Sequence, residues 1–289
     1  MQKITFIAVC LFLTSWVLGE EHRVDRTFLR RFVPDIPEKM ADISSRSCHY
    51  RPIFGIGDSD SSIVKGVARC GEMVIDPGGS SARISYPREE QVYVILEGSG
   101  LLSYGNQRVQ VRQNDFMYFP PGIEHGLSSS TNKPCRVVVL GFKIPADVTV
   151  TTPTKLLLAN IDEVKQQVVE GHPPSVLYQL LMGDTQSKRD RIAAGQVLTS
   201  LFLMEFEPGG TNFPHHHETE EEIYLVLEGT GEMVAGGGTT GIEGRYLAKA
   251  GDAYFFRLNC TVGFYNSSKP GTRKARILAV RSLFPGCRR

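Results

Sequence analysis

Short runs of β-branched and aromatic residues, punctuated at regular intervals by Gly, Pro and Asn, dominate the chain from Gly66 to Pro145 and again from Gly195 to Pro285. Runs of that length, closed by turn formers, predict strands, and many in succession predict an all-β sandwich or barrel. Each stretch has the same internal order: an apolar strand ending in Pro-Gly-Gly, a polar turn, a second strand, then Glu-Gly-x-Gly. Helix is expected in one place. The segment NIDEVKQQVVEG opens with Asn160, a good N-cap, and stops at Gly171 ahead of Pro173-Pro174, which predicts a short helix between the two stretches.

The two stretches are copies of one unit. At an offset of 131 residues (Met73 against Met204), MVIDPGG falls on MEFEPGG, and EEQVYVILEGSG from Glu89 falls on EEEIYLVLEGTG from Glu220 without a gap. A match of this length at a fixed offset indicates duplication of one structural unit. The copies drift by six residues around the Gly-rich hairpin tip AGGGTTGIEG, then realign at NDFMYFPPGIEH from Asn114 and GDAYFFRLNCTV from Gly251. The expected organisation is an arm over residues 20–65, a barrel over 66–145, a connector with the short helix over 146–194, and a second barrel over 195–285.

The N-terminus follows another pattern. Lys3 precedes the apolar run Ile4 to Val17, and the small Gly19 stands before Glu20, the order of a secretory signal peptide over residues 1–19. The run is shorter than the roughly twenty residues that span a bilayer. Cleavage after Gly19 and a secreted or periplasmic, extracytoplasmic location are therefore expected, with no later membrane span. Lys plus Arg (32) nearly balance Asp plus Glu (31), so there is no overall field to hold a nucleic acid or an anionic membrane. Cys10 would leave with the signal, and Cys48, Cys70, Cys135, Cys260 and Cys287 remain, an odd number without any C-x-x-C pair. One or two disulfides would suit an oxidising compartment, whereas thiol redox chemistry and a zinc ribbon are not indicated. Asn259-Cys260-Thr261 and Asn266-Ser267-Ser268 match the glycosylation acceptor pattern, which has meaning only in a eukaryotic source.

The duplication supplies its own control, because positions that only the fold requires should match between copies. At the turn they do not: Ile84, Ser85 and Tyr86 stand where the second copy has His215, His216 and His217, and Gln91 stands opposite Glu222. Residues two apart on a strand share a face, so His215 and His217 can aim together while His216 points away, and Glu222 can return its carboxylate from the next strand. Two neutral imidazoles and one carboxylate make a facial set for one divalent transition metal, Fe, Mn, Ni or Zn, with open positions for water, oxygen or substrate. The other reading is a polar turn whose histidines bond to solvent and backbone. Glu220 and Glu221 are weaker candidates, because the first copy keeps both as Glu89 and Glu90 without histidines beside them.

Gly209, five residues, His215-x-His217, four residues, Glu222, six residues and Gly229 fit the first signature of the cupin superfamily at every position. The chain therefore resembles a bicupin, and the resemblance implies a small antiparallel jelly-roll barrel for each copy. The second cupin signature normally brings a fourth ligand. The first copy meets it with Pro120, Gly122 and His125, while Asn114 and Ser129 replace its terminal Gly and Asn. The second copy keeps Gly251 and Asn266 but has Arg257, Asn259 and Val262 where Pro, Gly and His belong. The first barrel is thus expected to carry a degenerate site, filled by Ile84 and Tyr86, with His125 as a hydrogen-bonded relic.

Tyr224 and Val226 alternate in phase with Glu222 and should line the second cavity, Tyr224 with a hydroxyl that could reach substrate although Tyr93 matches it in the first copy. Arg257, at the expected mouth, is either a partner for a substrate carboxylate or a solvated loop arginine. Cys260 either faces the site or is a buried thiol. The resemblance implies one of two functions. One is a mononuclear metal enzyme of dioxygenase, decarboxylase, isomerase or lyase type on a small organic acid, sugar derivative or phenolic, with Tyr224 and Arg257 as catalytic candidates. The other is a non-catalytic ligand binder or storage-like structural protein. Similar barrels pair through edge strands, so a homodimer is also expected.

Overall fold

The computed structural model describes residues 27–150, 153, 155–238 and 242–287; the expected signal peptide lies outside them. The described chain is nearly all β and builds two antiparallel jelly-roll barrels in tandem, each from one large sheet and one three-stranded sheet. In the first barrel the strand Glu89–Glu97 lies between Asp115–Phe119 and Cys135–Lys143. In the second, Glu220–Glu228 lies between Asp252–Phe256 and Ala275–Leu283.

These two central strands read as unbroken apolar runs because both of their faces are covered. Val92 and Val94 from one barrel, and Ile223 and Leu225 from the other, enter a shared core between the barrels. The residues that alternate with them turn inward. Tyr93 and Ile95 pack in the core of the first barrel, and Tyr224 and Val226 in that of the second.

The segments on either side of the first barrel are woven into the sheets. Phe28–Phe32 pairs with Asp252–Phe256 of the second barrel, whereas Cys48–Gly55 pairs with Val67–Ile75 of the first. The helix expected after Asn160 does not form. Leu157–Asn160 is an edge strand on Asp115–Phe119, Ile161–Glu163 is one 3-10 turn, and Gln166–Gln167 pairs with Gln179 and Tyr178. Asn160 does cap, accepting the Asp162 N–H at 2.9 Å. The turn ends because Gln179 Nε2 donates to the carbonyls of Ile161 and Val164, both at 2.8 Å, while Ile161 buries in the shared core. Tertiary partners thus take the groups that a helix would have paired internally.

The pair of glutamates kept in both copies has a structural role. Glu90 is fully buried, and its Oε1 accepts the N–H groups of Val197 (2.8 Å) and Leu198 (2.7 Å). Its Oε2 accepts the Gln196 N–H (2.7 Å) and the Tyr118 hydroxyl (2.8 Å). Reciprocally, Glu221 accepts the N–H groups of Lys65 (3.0 Å) and Gly66 (2.7 Å). Each barrel holds the entry of the other through one carboxyl. Burial raises the pKa of both groups, and the N–H donors pull it back.

All five described cysteines are free, which corrects the expectation of disulfides. Cys48 and Cys135 share the core of the first barrel but face Ile75 from strands on either side of it. Two strand spacings put them roughly 9–10 Å apart, beyond disulfide reach. The Asn266 acceptor sequence is sequestered as well, because Asn266 Nδ2 donates to the carbonyls of Phe206, Glu207 and Arg273.

Candidate metal centre

His215 sits on a strand-like bridge to Val262, with mutual N–H to carbonyl bonds of 3.0 and 2.8 Å, and the His217 carbonyl accepts the Asn259 N–H at 2.9 Å. Preceding them, Phe213 adopts φ 52°, a left-handed conformation that costs an aromatic residue about 1–2 kcal/mol. That conformation accompanies a 2.8 Å contact between the Phe213 carbonyl and His215 Nδ1. A carbonyl only accepts, so Nδ1 carries the proton and Nε2 keeps its lone pair, the tautomer a metal ligand requires.

One nitrogen of His215, one of His217 and a carboxylate oxygen of Glu222 lie within 4.8 Å of one another. His217 Nε2 is 3.3 Å from Glu222 Oε2, an ion-pair distance, and neither of these buried atoms has a hydrogen-bond partner. Buried polar atoms without partners are rare, and a cation between these three groups would satisfy them. The residues present therefore fit a metal ion. Burial lowers the His215 pKa, against the pull of Glu222. Burial pushes the Glu222 carboxyl up, but His217, Arg281 and His215 outweigh it and hold it below the usual carboxylate range.

The three groups open on a cavity of about 100 Å³ lined also by His172, Tyr178, Phe202, Tyr224, Arg189 and Arg281. Tyr224 is at the wall as its phase predicts, with its hydroxyl accepting from Asn212 Nδ2 at 3.0 Å. Val226 packs in the core and Val262 is fully buried where a fourth histidine would stand. His216 points to solvent, 4.0 Å from Glu218. Among the described residues, neither Arg257 nor Cys260 lines the cavity. The Arg257 N–H is tied to the Thr27 carbonyl, and the Cys260 sulfur accepts from the Gly236 N–H. In the first copy the corresponding groups bond to one another: His125 Nε2 is 2.8 Å from Gln91 Oε1, its ring stacks on Phe119, and burial lowers its pKa to about 4.

Arginine reaches the site from an unforeseen strand. Arg281 lies opposite Glu222 in the sheet register, and Gly141 holds that place opposite Gln91. In the first barrel Arg69, beside Gly141, supplies the guanidinium and bonds Glu89 at 2.7 Å; in the second, Ser200 replaces that arginine and Arg281 bonds Glu220 at 3.2 Å. The two substitutions compensate across neighbouring strands. Carrying the comparison of copies into the last strand would have exposed Arg281. His172 and Arg189 come from the connector, which has no counterpart in the repeat to compare with.

The fold defines a two-barrel protein, a bicupin, whose second barrel brings His215, His217 and Glu222 together. A family model described as a cupin domain matches residues 71–141 and 202–280, and the chain belongs to the cupin family. Among solved structures it is similar to a putative glyoxylate-induced protein from Pseudomonas aeruginosa, with a TM-score of 0.71 and 18% identity over 93% of this chain and 95% of that one. It is also similar to a formate complex of oxalate decarboxylase from Lactobacillus farciminis, with a TM-score of 0.64 and 13% identity over 89% and 86%. An uncharacterized protein of Methanocaldococcus jannaschii, MJ1618, is 30% identical over 82 residues, which are 28% of this chain and 66% of that protein, just under two thirds. Among the described residues no helix is long and apolar enough to cross a membrane.

Proposed function

We propose that the second barrel is a mononuclear metal centre in which His215, His217 and Glu222 hold one divalent transition metal ion, and that the protein is an enzyme acting on a small carboxylate. The reading is carried by the convergence of the three ligand atoms within 4.8 Å, two of them buried without hydrogen-bond partners, beside an arginine. When bound, the metal supplies Lewis acidity toward a substrate oxygen. The rest belongs to the side chains. Arg281 is anchored through Nη1 on Glu220, and its buried Nε has no partner, so the guanidinium retains an edge for a carboxylate. Arg189 adds a second cation at the mouth, and Tyr178, Leu180 and Phe202 limit the water around the ligand. The oxalate decarboxylase among the similar structures acts on a small carboxylate, which supports the same class here.

Export of the mature chain is part of the proposal, supported by the order Lys3, apolar run, Gly19; so is edge-strand pairing into a homodimer. Val262 in the place of a fourth ligand favours the other reading, a non-catalytic binder. Elemental analysis separates the two. The purified protein should carry about one transition metal ion per chain, as expected for a single three-ligand set, and His217→Ala should remove it. Wild-type protein that holds no metal after growth in supplemented medium overturns the enzyme reading.

A further inference from the structure

His172 has no place in the ligand set, yet it is held as firmly as a ligand would be. Its Nδ1 is 3.0 Å from the Asn212 carbonyl, and its ring lies 5.1 Å from that of Tyr178 and 5.6 Å, edge-on, from that of His215. Asn212 is itself fixed, accepting the Phe264 N–H at 2.8 Å and donating to the Tyr224 hydroxyl. Consecutive carbonyls, Asn212 and Phe213, thus orient two imidazoles through their Nδ1 atoms. Because a carbonyl only accepts, Nδ1 of His172 carries a proton, which leaves Nε2 as the ring nitrogen able to accept. That nitrogen has no hydrogen-bond partner among the described residues, and the ring lines the same cavity as Arg281.

The two side chains ask for different chemistry. A guanidinium donates and takes a carboxylate, whereas a lone pair repels a carboxylate oxygen and takes a hydroxyl or amine. A cavity of about 100 Å³ has room for only a few heavy atoms, so both demands must be met by neighbouring groups of one small molecule. We propose that His172 is a specificity-determining residue whose Nε2 accepts a hydrogen bond from a hydroxyl or amino group on the carbon next to the carboxylate held by Arg281. The preferred ligands are then small 2-hydroxy or 2-amino carboxylates, in preference to simple monocarboxylates and to dicarboxylates that lack a donor. This inference rests on the metal and carboxylate reading above.

The test is calorimetric titration of the Mn(II)-loaded protein with glycolate and with acetate, in wild type, His172→Phe and His172→Gln. Phenylalanine keeps a ring between Tyr178 and His215 but removes the acceptor; glutamine retains an acceptor oxygen. Chelation favours glycolate in every variant, so the readout is the change in the glycolate-to-acetate affinity ratio. That ratio should fall about tenfold, equivalent to ~1.4 kcal/mol, in His172→Phe and largely recover in His172→Gln, with acetate affinity and metal content unchanged. An unchanged ratio in His172→Phe that still carries metal overturns this inference and leaves the metal centre standing. Loss of metal from both variants also overturns it, by making His172 a ligand. Failure of both acids to bind metal-loaded wild type overturns the carboxylate reading and the inference together.

Discussion

Replacing Glu90 with Gln should loosen the junction of the barrels. Four donors converge on this carboxyl, two on each oxygen, at 2.7–2.8 Å, and the group is fully buried. A carboxamide keeps one oxygen for the Val197 and Leu198 N–H groups, but its NH2 then faces the Gln196 N–H and the Tyr118 hydroxyl; the hydroxyl can turn to accept one amide hydrogen, and the Gln196 N–H and the other amide hydrogen are left without acceptors. A buried donor left without an acceptor costs about 1–3 kcal/mol, so the substitution should cost ~2–6 kcal/mol. For a chain of this size that is a fall in Tm of about 2 °C per kcal/mol, or ~8 °C at the middle of the range. Calorimetry combined with urea titration is the appropriate assay. Tyr118→Phe, which removes one donor and leaves the carboxyl with three, should cost only about 1 kcal/mol. Glu97→Gln, at an exposed pair with Arg136, should stay within about 0.5 kcal/mol of wild type. A Glu90→Gln protein within 1 kcal/mol of wild type, by the same measure of about 1 kcal/mol per hydrogen bond, would refute the role assigned to this carboxyl.

Other residues yield shorter tests. His125 has a folded pKa of about 4, below the ordinary value of about 6.5, so the unfolded chain takes up its proton first as pH falls. Its contribution is complete above pH ~6.5 and is lost toward pH ~4, by up to about 3 kcal/mol. Denaturant titrations across that window should show this extra loss in wild type and not in His125→Gln. Gly141→Ala places a Cβ against the Glu89 carboxylate and the Arg69 stem, and should destabilise by about 1–3 kcal/mol in a melting experiment. In the second barrel, Arg281→Lys should leave metal content intact while weakening acetate binding roughly tenfold, since a lysine cannot reproduce the guanidinium edge; calorimetry on metal-loaded protein reports both.

The pattern of apolar positions and the 131-residue repeat were sufficient to predict two copies of one all-β sandwich or barrel, because alternation and turn chemistry are local properties that a chain cannot hide, and the cupin resemblance added the antiparallel jelly roll. The same holds for His215, His217 and Glu222, close in sequence around one turn, whose ligand atoms lie within 4.8 Å of one another. Whatever depends on pairing between distant segments was decided only by the tertiary structure. The residues after Asn160 carry helix start and stop signals yet lead from one sheet to the other, since Gln179 takes the carbonyls of Ile161 and Val164 and Gln166–Gln167 pairs with Gln179 and Tyr178. Arg281 in place of Arg257, and His172 from outside the repeat, reach the cavity because strand order and the connector's return place them there. No run of neighbouring residues encodes that adjacency, because it arises when two sheets close around a common interior.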